Sequence, residues 1–186
     1  KISPYWCGVN SVVESMRNVA ATGATPHAMT DCLCFGNPEK PEQMWQFAES
    51  TKGVADACKG IHLKHEPGHS VPIIAGNVSF YNESAGRPIP PSPIVSCLGR
   101  FEDVDKAITM GFKKKDSIII LIGKRKNELG GSLYYSLFNF LGKNLPKPNL
   151  KVVEDEIWAL TDLIDSELVL SAHDISDGGA AVALSE

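Results

Sequence analysis

Gly76-Asn77-Val78-Ser79-Phe80-Tyr81-Asn82-Glu83 is entered directly from five mostly apolar residues, 71–75. That pattern predicts a short buried strand ending in a glycine and then in polar side chains. Gly76 has no Cβ, so a ligand or another backbone can come close to it. Asn77, Ser79 and Glu83 offer oxygens, and Asn77 and Ser79 point to the same side of an extended chain. Such a stretch suits a bound anion or an oxygen-loving cation. A plain turn is the competing reading, and the surrounding chain has to decide between them.

The chain has 186 residues, 43% of them hydrophobic, and a formal net charge of −4. That length supports one large domain or two small ones with real cores. The acidic balance lacks the electrostatic footprint of a nucleic-acid binder. No apolar run approaches the ~20 residues needed to cross a membrane. The five cysteines are an odd number without framework spacing, which predicts free thiols in a reducing cytoplasm. Asn77-Val78-Ser79 and Asn82-Glu83-Ser84 are then not glycosylation sites. No internal repeat or low-complexity segment is visible. Residues 180–186 read as a helix barely begun, with no cap or breaker after it, as in a piece of a longer polypeptide.

Working outward, residues 8–21 carry Val9, Val12, Val13, Met16, Val19 and Ala20 at helical spacing, and Gly23 ends that helix. Glu14 and Asn18 share one face of it, either as a solvated polar stripe or as a ligand pair. Residues 27–35 are strand-like with Asp31 in the middle. An aspartate is depleted in strands and costly to bury unpaired, so it should end the strand, break it or meet a cation. Cys32 and Cys34 have the wrong spacing for a metal pair and read as core. Residues 36–41 are a loop, and residues 42–61 a helix. His62, His65 and His69 could bind zinc, but Pro67 and Gly68 break any helix that would align them, so residues 62–69 read as an exposed loop.

Residues 84–92 form a loop, 94–101 a strand and 102–110 a short helix or turn. A domain boundary is expected near 108–115. Residues 118–122 read as a continuous buried strand. Gly130-Gly131-Ser132 opens a helix over 133–141 without the P-loop pattern. Residues 145–148 are a linker, 152–166 an amphipathic helix and 169–172 another short buried strand. That strand leads into His173-Asp174-Ile175-Ser176-Asp177-Gly178-Gly179 and the last helix. In open α/β sheets ligands bind where strand ends meet helix starts. Ser176 or Asp177 as N-cap is the ordinary alternative. Asp174 is not needed for capping, and two carboxylates this close repel unless a cation or donors sit among them.

Three stretches stand in the order and context of one family: Phe35-Gly-Asn-Pro-Glu-Lys-Pro-Glu42, Gly76 to Glu83, and His173 to Gly179. Glu14-Ser-Met-Arg-Asn18, Thr30-Asp-Cys-Leu33, Pro88-Ile-Pro-Pro-Ser-Pro-Ile94 and Leu129-Gly-Gly-Ser132 support them. Over nearly its whole length the chain resembles the synthetase subunit of phosphoribosylformylglycinamidine synthase, an enzyme of de novo purine synthesis.

The resemblance implies an α+β, AIR-synthetase-like unit taken from the second half of a tandem duplication. Residues 1–110 would be its N-terminal α+β sheet domain, which pairs into a barrel. Residues 111–186 would be the truncated first part of a C-terminal α/β sandwich. It further implies nucleotide contacts at Asp31 and Gly76, a magnesium contact at Asn77 and a substrate contact at Ser79. Metal ligands around a structural nucleotide would be Glu14, Asn18, Asp31 and Asp174. The family's catalytic histidines have no counterpart in this chain. The departures are Ala75-Gly76 where the family has Gly-Gly, Ala180 after Gly179, and residues 62–69, an apparent insertion of about eight residues that a loop tolerates.

The activity implied is ATP-dependent conversion of formylglycinamide ribonucleotide to formylglycinamidine ribonucleotide, with ATP or ADP and Mg2+ bound. Ammonia would come from a glutaminase subunit, with a small accessory subunit, or from a fused glutaminase domain. The rest of the polypeptide is a further expected partner; the isolated chain should be inactive and form a homodimer. One alternative is a non-catalytic half that only holds a structural nucleotide. Another, a zinc or nucleic-acid module built on the histidines and cysteines, is opposed by the charge and the spacings.

Overall fold

The structure, a computed structural model, describes residues 2–186. Ser3 starts the first helix: its side chain accepts the Trp6 N–H, and Pro4 follows at the first helical position, where a missing N–H costs nothing. Helix α1 therefore spans Pro4–Ala21, and the Ser3-Pro4 pair is the signal for a start earlier than the apolar spacing suggests. Strand β1 (Thr25–Cys34) and helix α2 (Pro41–Gly60) follow. A hairpin of β2 (His62–Leu63) and β3 (Glu66–Ser70) leads to β4 (Ile73–Ser79). A second small hairpin, β5 (Glu83–Ser84) and β6 (Arg87–Pro88), precedes β7 (Ser92–Arg100). Helices α3 (Leu133–Ser136), α4 (Leu150–Asp165) and α5 (Gly179–Ala183) complete the chain.

The main sheet has the order β4-β1-β7, with β1 parallel to β4 and antiparallel to β7. A parallel pair needs a long crossover, and α2 lies in the connection between β1 and β4. Val12, Met16, Met29, Val54 and Ala57 form the core between the helices and the sheet, and Val153 and Ile157 of α4 belong to the same cluster. The helices α1 and α2 cross at two glycines. A Cβ on Gly8 would run into the Ser50 carbonyl, and one on Gly53 into the Tyr5 carbonyl.

Glu154 of α4 is buried beside the end of α2. It accepts from Lys151 Nζ at 2.6 Å and from the His62 backbone N–H at 2.7 Å, and lies 2.9 Å from His62 Nδ1. Burial alone would push its carboxyl up, but these hydrogen bonds together outweigh that and hold it below the ordinary glutamate range.

Several elements differ from expectation. The stretch 62–69 is a hairpin rather than a loop, with Gly68 in the left-handed region at φ +84°. The strand leading into the glycine motif is an edge strand, and Ile74 is 59% exposed rather than buried. Among the described residues its only neighbour in the sheet is β1, and Ile73 and Val78 are exposed with Ile74. Residues 118–122 form no strand, and Ile118 is 88% exposed. A buried parallel strand needs ladder partners and covering helices, and this run has neither among the described residues. Residues 169–172 likewise stay irregular. The helix expected over 133–141 stops at Ser136, and the chain turns at Asn139, φ +53°. All five cysteines are unpaired, and no helix among the described residues is long and apolar enough to cross a membrane.

Candidate functional site

Asp31 lies in the interior of β1, directly opposite Gly76 of β4. A Cβ at position 76 would run into the Asp31 carboxylate, so glycine is what makes room for that side chain. Burial raises the Asp31 carboxyl above its ordinary value, with no neighbouring charge or hydrogen bond acting against it. An uncompensated carboxylate at a half-buried strand position is unfavourable by itself.

On its other side Asp31 pairs with Val95 of β7. Pro93, Ile94 and Val95 form one wall of a pocket of about 290 Å³, and Ser11, Glu14, Ser15 and Asn18 of α1 form the other. Glu14 and Asn18 thus share one exposed helix face, one turn apart, as their spacing requires.

Asp174 reaches this helix from far along the chain. In the amide orientation that satisfies its hydrogen bonds, Asn18 Nδ2 donates to the Glu14 carbonyl at 3.2 Å and to Asp174 Oδ2 at 3.0 Å. His173, which the sequence reading left without a role, sits between carboxylates. Its Nδ1 is 3.3 Å from Asp174 Oδ1 and its Nε2 is 2.9 Å from Glu186 Oε2. Desolvation works against its charged form, yet hydrogen bonds to Glu186 and Asp174 and their charges raise its pKa on balance.

Asn77 and Ser79 lie elsewhere. Their partners in register are Cys32 and Cys34, and Asn77 Nδ2 donates to Cys32 Sγ at 3.4 Å. Side chains alternate along a strand, so these two occupy the sheet face opposite to Asp31. The seven candidate residues therefore fall into three groups: Asp31 with Gly76, Glu14 with Asn18 and Asp174, and Asn77 with Ser79.

Nowhere among the described residues do three His, Cys, Asp or Glu side chains gather as a metal site. The groups on or against this face of α1 are the Glu14 and Asp174 carboxylates, the Asn18 amide, which turns its nitrogen to Asp174, and the Ser11 and Ser15 hydroxyls. That set fits a hard cation such as magnesium, which keeps several waters, and not zinc.

One residue of the glycine motif is more deeply engaged than the sequence suggests. Asn82 Nδ2 donates to the Ser79 carbonyl at 2.8 Å and the Phe35 carbonyl at 3.0 Å, and lies 3.1 Å from Ser79 Oγ. Tyr81 before it has φ +60°, a left-handed residue that turns the chain back on itself. Phe80 anchors the turn through Phe47, which in turn packs edge-on against Phe35.

The family described as AIR synthase related protein, N-terminal domain, matches residues 1–101. The chain belongs to this family. Its AIR synthase-like fold is shared with the crystal structure of phosphoribosylformylglycinamidine synthase II from Thermotoga maritima, at a TM-score of 0.51 and 22% identity, over 97% of this chain and 25% of that one. This AIR synthase related chain is 49% identical over 187 aligned positions to phosphoribosylformylglycinamidine synthase subunit PurL of Methanothrix thermoacetophila, covering all of this chain and 24% of that protein. The same subunit of Thermobifida fusca is 43% identical over 188 positions, again covering all of this chain and 24% of the relative. The chain thus spans about a quarter of the length of these curated relatives.

Proposed function

We propose that this chain is part of the ATP-dependent synthetase that converts formylglycinamide ribonucleotide and ammonia to formylglycinamidine ribonucleotide, and that it contributes nucleotide and substrate contacts. The observation that carries the reading is the Asp31–Gly76 pair: an uncompensated carboxylate facing the one residue type that leaves it space. Asp31 and Gly76 would line the nucleotide, and Ser79 would touch the substrate. Glu14, Asn18 and Asp174, with Asp31, would hold the magnesium of a structural nucleotide, and Asn77 on the other sheet face would contact a separate magnesium; each ion when bound offsets phosphate charge. Residues 1–110 would be the AIR-synthetase-like N-terminal domain and 111–186 the first part of the sandwich domain. The remainder of the polypeptide, a glutaminase subunit and a small accessory subunit, or a fused glutaminase domain, would complete a cytoplasmic enzyme.

The test is thermal melting of the intact enzyme with magnesium and ATP or ADP, in wild type and in Asp31→Asn, Gly76→Ala and Asp174→Asn. A ligand at a hundred times its Kd stabilises by about 2.7 kcal/mol, so a tenfold weaker Kd lowers the gain by roughly half. Each variant should lose at least that much of the nucleotide-induced rise. Asp31→Asn should melt no lower than wild type without nucleotide, because an aspartate with a raised pKa works against the fold once ionised. Equal nucleotide stabilisation in all four proteins overturns the reading. If activity survives in Asp31→Asn while only the stabilisation is lost, the site is the non-catalytic, structural one.

A second expectation concerns the sheet face away from the helices. Ile94 and Leu98 are 55% and 49% exposed there, paired with Cys32 and Ala28, and β4 is an open edge. The isolated chain should dimerise through this face and make no formylglycinamidine ribonucleotide. Sedimentation of a clean monomer at roughly 50 μM, a concentration at which a standard-sized interface should hold, would count against the dimer. Turnover by the isolated chain with ammonia, ATP and substrate would count against the assignment.

A further inference from the structure

We infer that Asn82 is the positioning residue for the Ser79 hydroxyl, and that it sets the affinity for the substrate that Ser79 touches. The inference rests on the proposed role of Ser79 and extends it to a residue outside the candidate ligand set. The Asn82 amide nitrogen has three acceptors within reach, the Phe35 carbonyl at 3.0 Å, the Ser79 carbonyl at 2.8 Å and Ser79 Oγ at 3.1 Å. It carries only two hydrogens. The two carbonyls take the shorter bonds. Ser79 Oγ is left with the longest N···O distance and a 3.3 Å approach to Asn82 Oδ1. Its proton is therefore directed at Asn82 Oδ1, and its lone pairs stay free to accept from a ligand donor.

The same side chain ties two strand ends together. Phe35 follows β1 and Ser79 ends β4, and the Asn82 backbone N–H also donates to the Phe35 carbonyl, at 3.1 Å. The Tyr81 N–H donates to the Gly36 carbonyl at 3.0 Å, so both residues after Phe80 are pinned to the β1 end. Asn82 is half-buried, and its amide is fully engaged within the chain. Both of its amide hydrogens are taken by backbone carbonyls, so it has no donor to spare for a substrate and acts through Ser79.

The experiment is steady-state kinetics of the full-length enzyme with formylglycinamide ribonucleotide, for Ser79→Ala, Asn82→Asp, Asn82→Ala and the Ser79→Ala/Asn82→Asp double variant. Asn82→Asp keeps the shape and the Oδ1 acceptor but sets a carboxylate oxygen against the Phe35 and Ser79 carbonyls, so the turn must shift and carry Ser79 with it. Asn82→Asp and Ser79→Ala should each raise KM about tenfold with kcat within about twofold, the signature of lost binding rather than lost chemistry. The double variant should show about the same tenfold rise and not the product of the two. Circular dichroism and melting of Asn82→Asp within a few degrees of wild type (roughly one kcal/mol for a domain of this size) confirm that the fold is kept. Asn82→Ala removes the same ties without adding a charge, and if Asn82→Asp fails to fold the Ala variant, alone and combined with Ser79→Ala, decides. If Ser79→Ala raises KM while Asn82→Asp does not, or if the two effects multiply, positioning by Asn82 is overturned and Ser79 keeps its role. If Ser79→Ala leaves KM unchanged, the role of Ser79 and the inference fall together.

Discussion

Gly53→Ala in this chain is expected to melt roughly 5–15 °C below wild type, although alanine favours a helix interior by about 1 kcal/mol. Gly53 sits in α2 where a Cβ would strike the Tyr5 carbonyl and come within 3.1 Å of the Val9 nitrogen. Both are backbone atoms of α1, which cannot rotate aside as a flexible side chain can. Gly8 makes the reciprocal approach to the Ser50 carbonyl, with the Val54 nitrogen at 2.9 Å from its would-be Cβ. Two backbones therefore touch at this crossing, and one methyl group forces the helices apart.

Overpacking of this kind costs about 1–3 kcal/mol, and parting Val9, Val12, Val54 and Ala57 adds lost burial, for a net of about 2–4 kcal/mol. The effect should reach the candidate site, because α1 also carries Glu14 and Asn18, which wall the pocket against Pro93–Val95. Gly111→Ala is the control: only Lys113 Nζ, at 3.8 Å, lies near its would-be Cβ. A Gly53→Ala protein that melts at or above wild type, beside a neutral Gly111→Ala, would show that the helices can part without loss.

Helices α1 and α2 and strands β1 and β7 were legible because their local signals agree with their packing. The apolar positions of α1 and α2 fall at helical spacing and are the ones that build the core. Asp31 stood out in the sequence as a misplaced strand residue, and it is the carboxylate that the fold leaves uncompensated. What the sequence could not give is which face each residue takes. Asn77 follows Gly76 by one position, and that single step puts it beside Cys32 on the far side of the sheet from Asp31.

The reading of residues 118–122 and 169–172 failed for a different reason. Continuous apolar runs report burial only if partners exist to bury them, and periodicity says nothing about partners. Asn82 was missed because its role lies in a turn with a left-handed residue before it, Tyr81, which no apolar pattern marks. The only hint was an asparagine in a glycine-led motif, a residue type that bonds readily to nearby backbone.

Glu154→Gln should cost about 1–3 kcal/mol near pH 7, roughly 2–12 °C of melting temperature, and the deficit should shrink in acid. The carboxylate is 6% exposed and gathers three donors from two elements. It fastens α4 to β2, just past the end of α2, and α4 in turn supports α1 through Ile157 and through Arg17, which lies 3.3 Å from Glu156. Glutamine keeps the shape and one acceptor oxygen but loses the charge that holds Lys151 and the His62 ring.

Because the folded pKa of Glu154 is depressed, its contribution is complete above the unfolded value, about 4.3 for glutamate. It is lost as the pH falls through the lower, folded value. Wild type and Glu154→Gln should therefore differ fully at any pH well above about 4.3 and converge only as the pH falls through the depressed folded value, below which both side chains are neutral. Thermal melts of the two proteins across that range are the measurement. A gap that stays constant down to acid pH would mean that the shape of the Glu154 side chain, and not its charge, holds α4 in place.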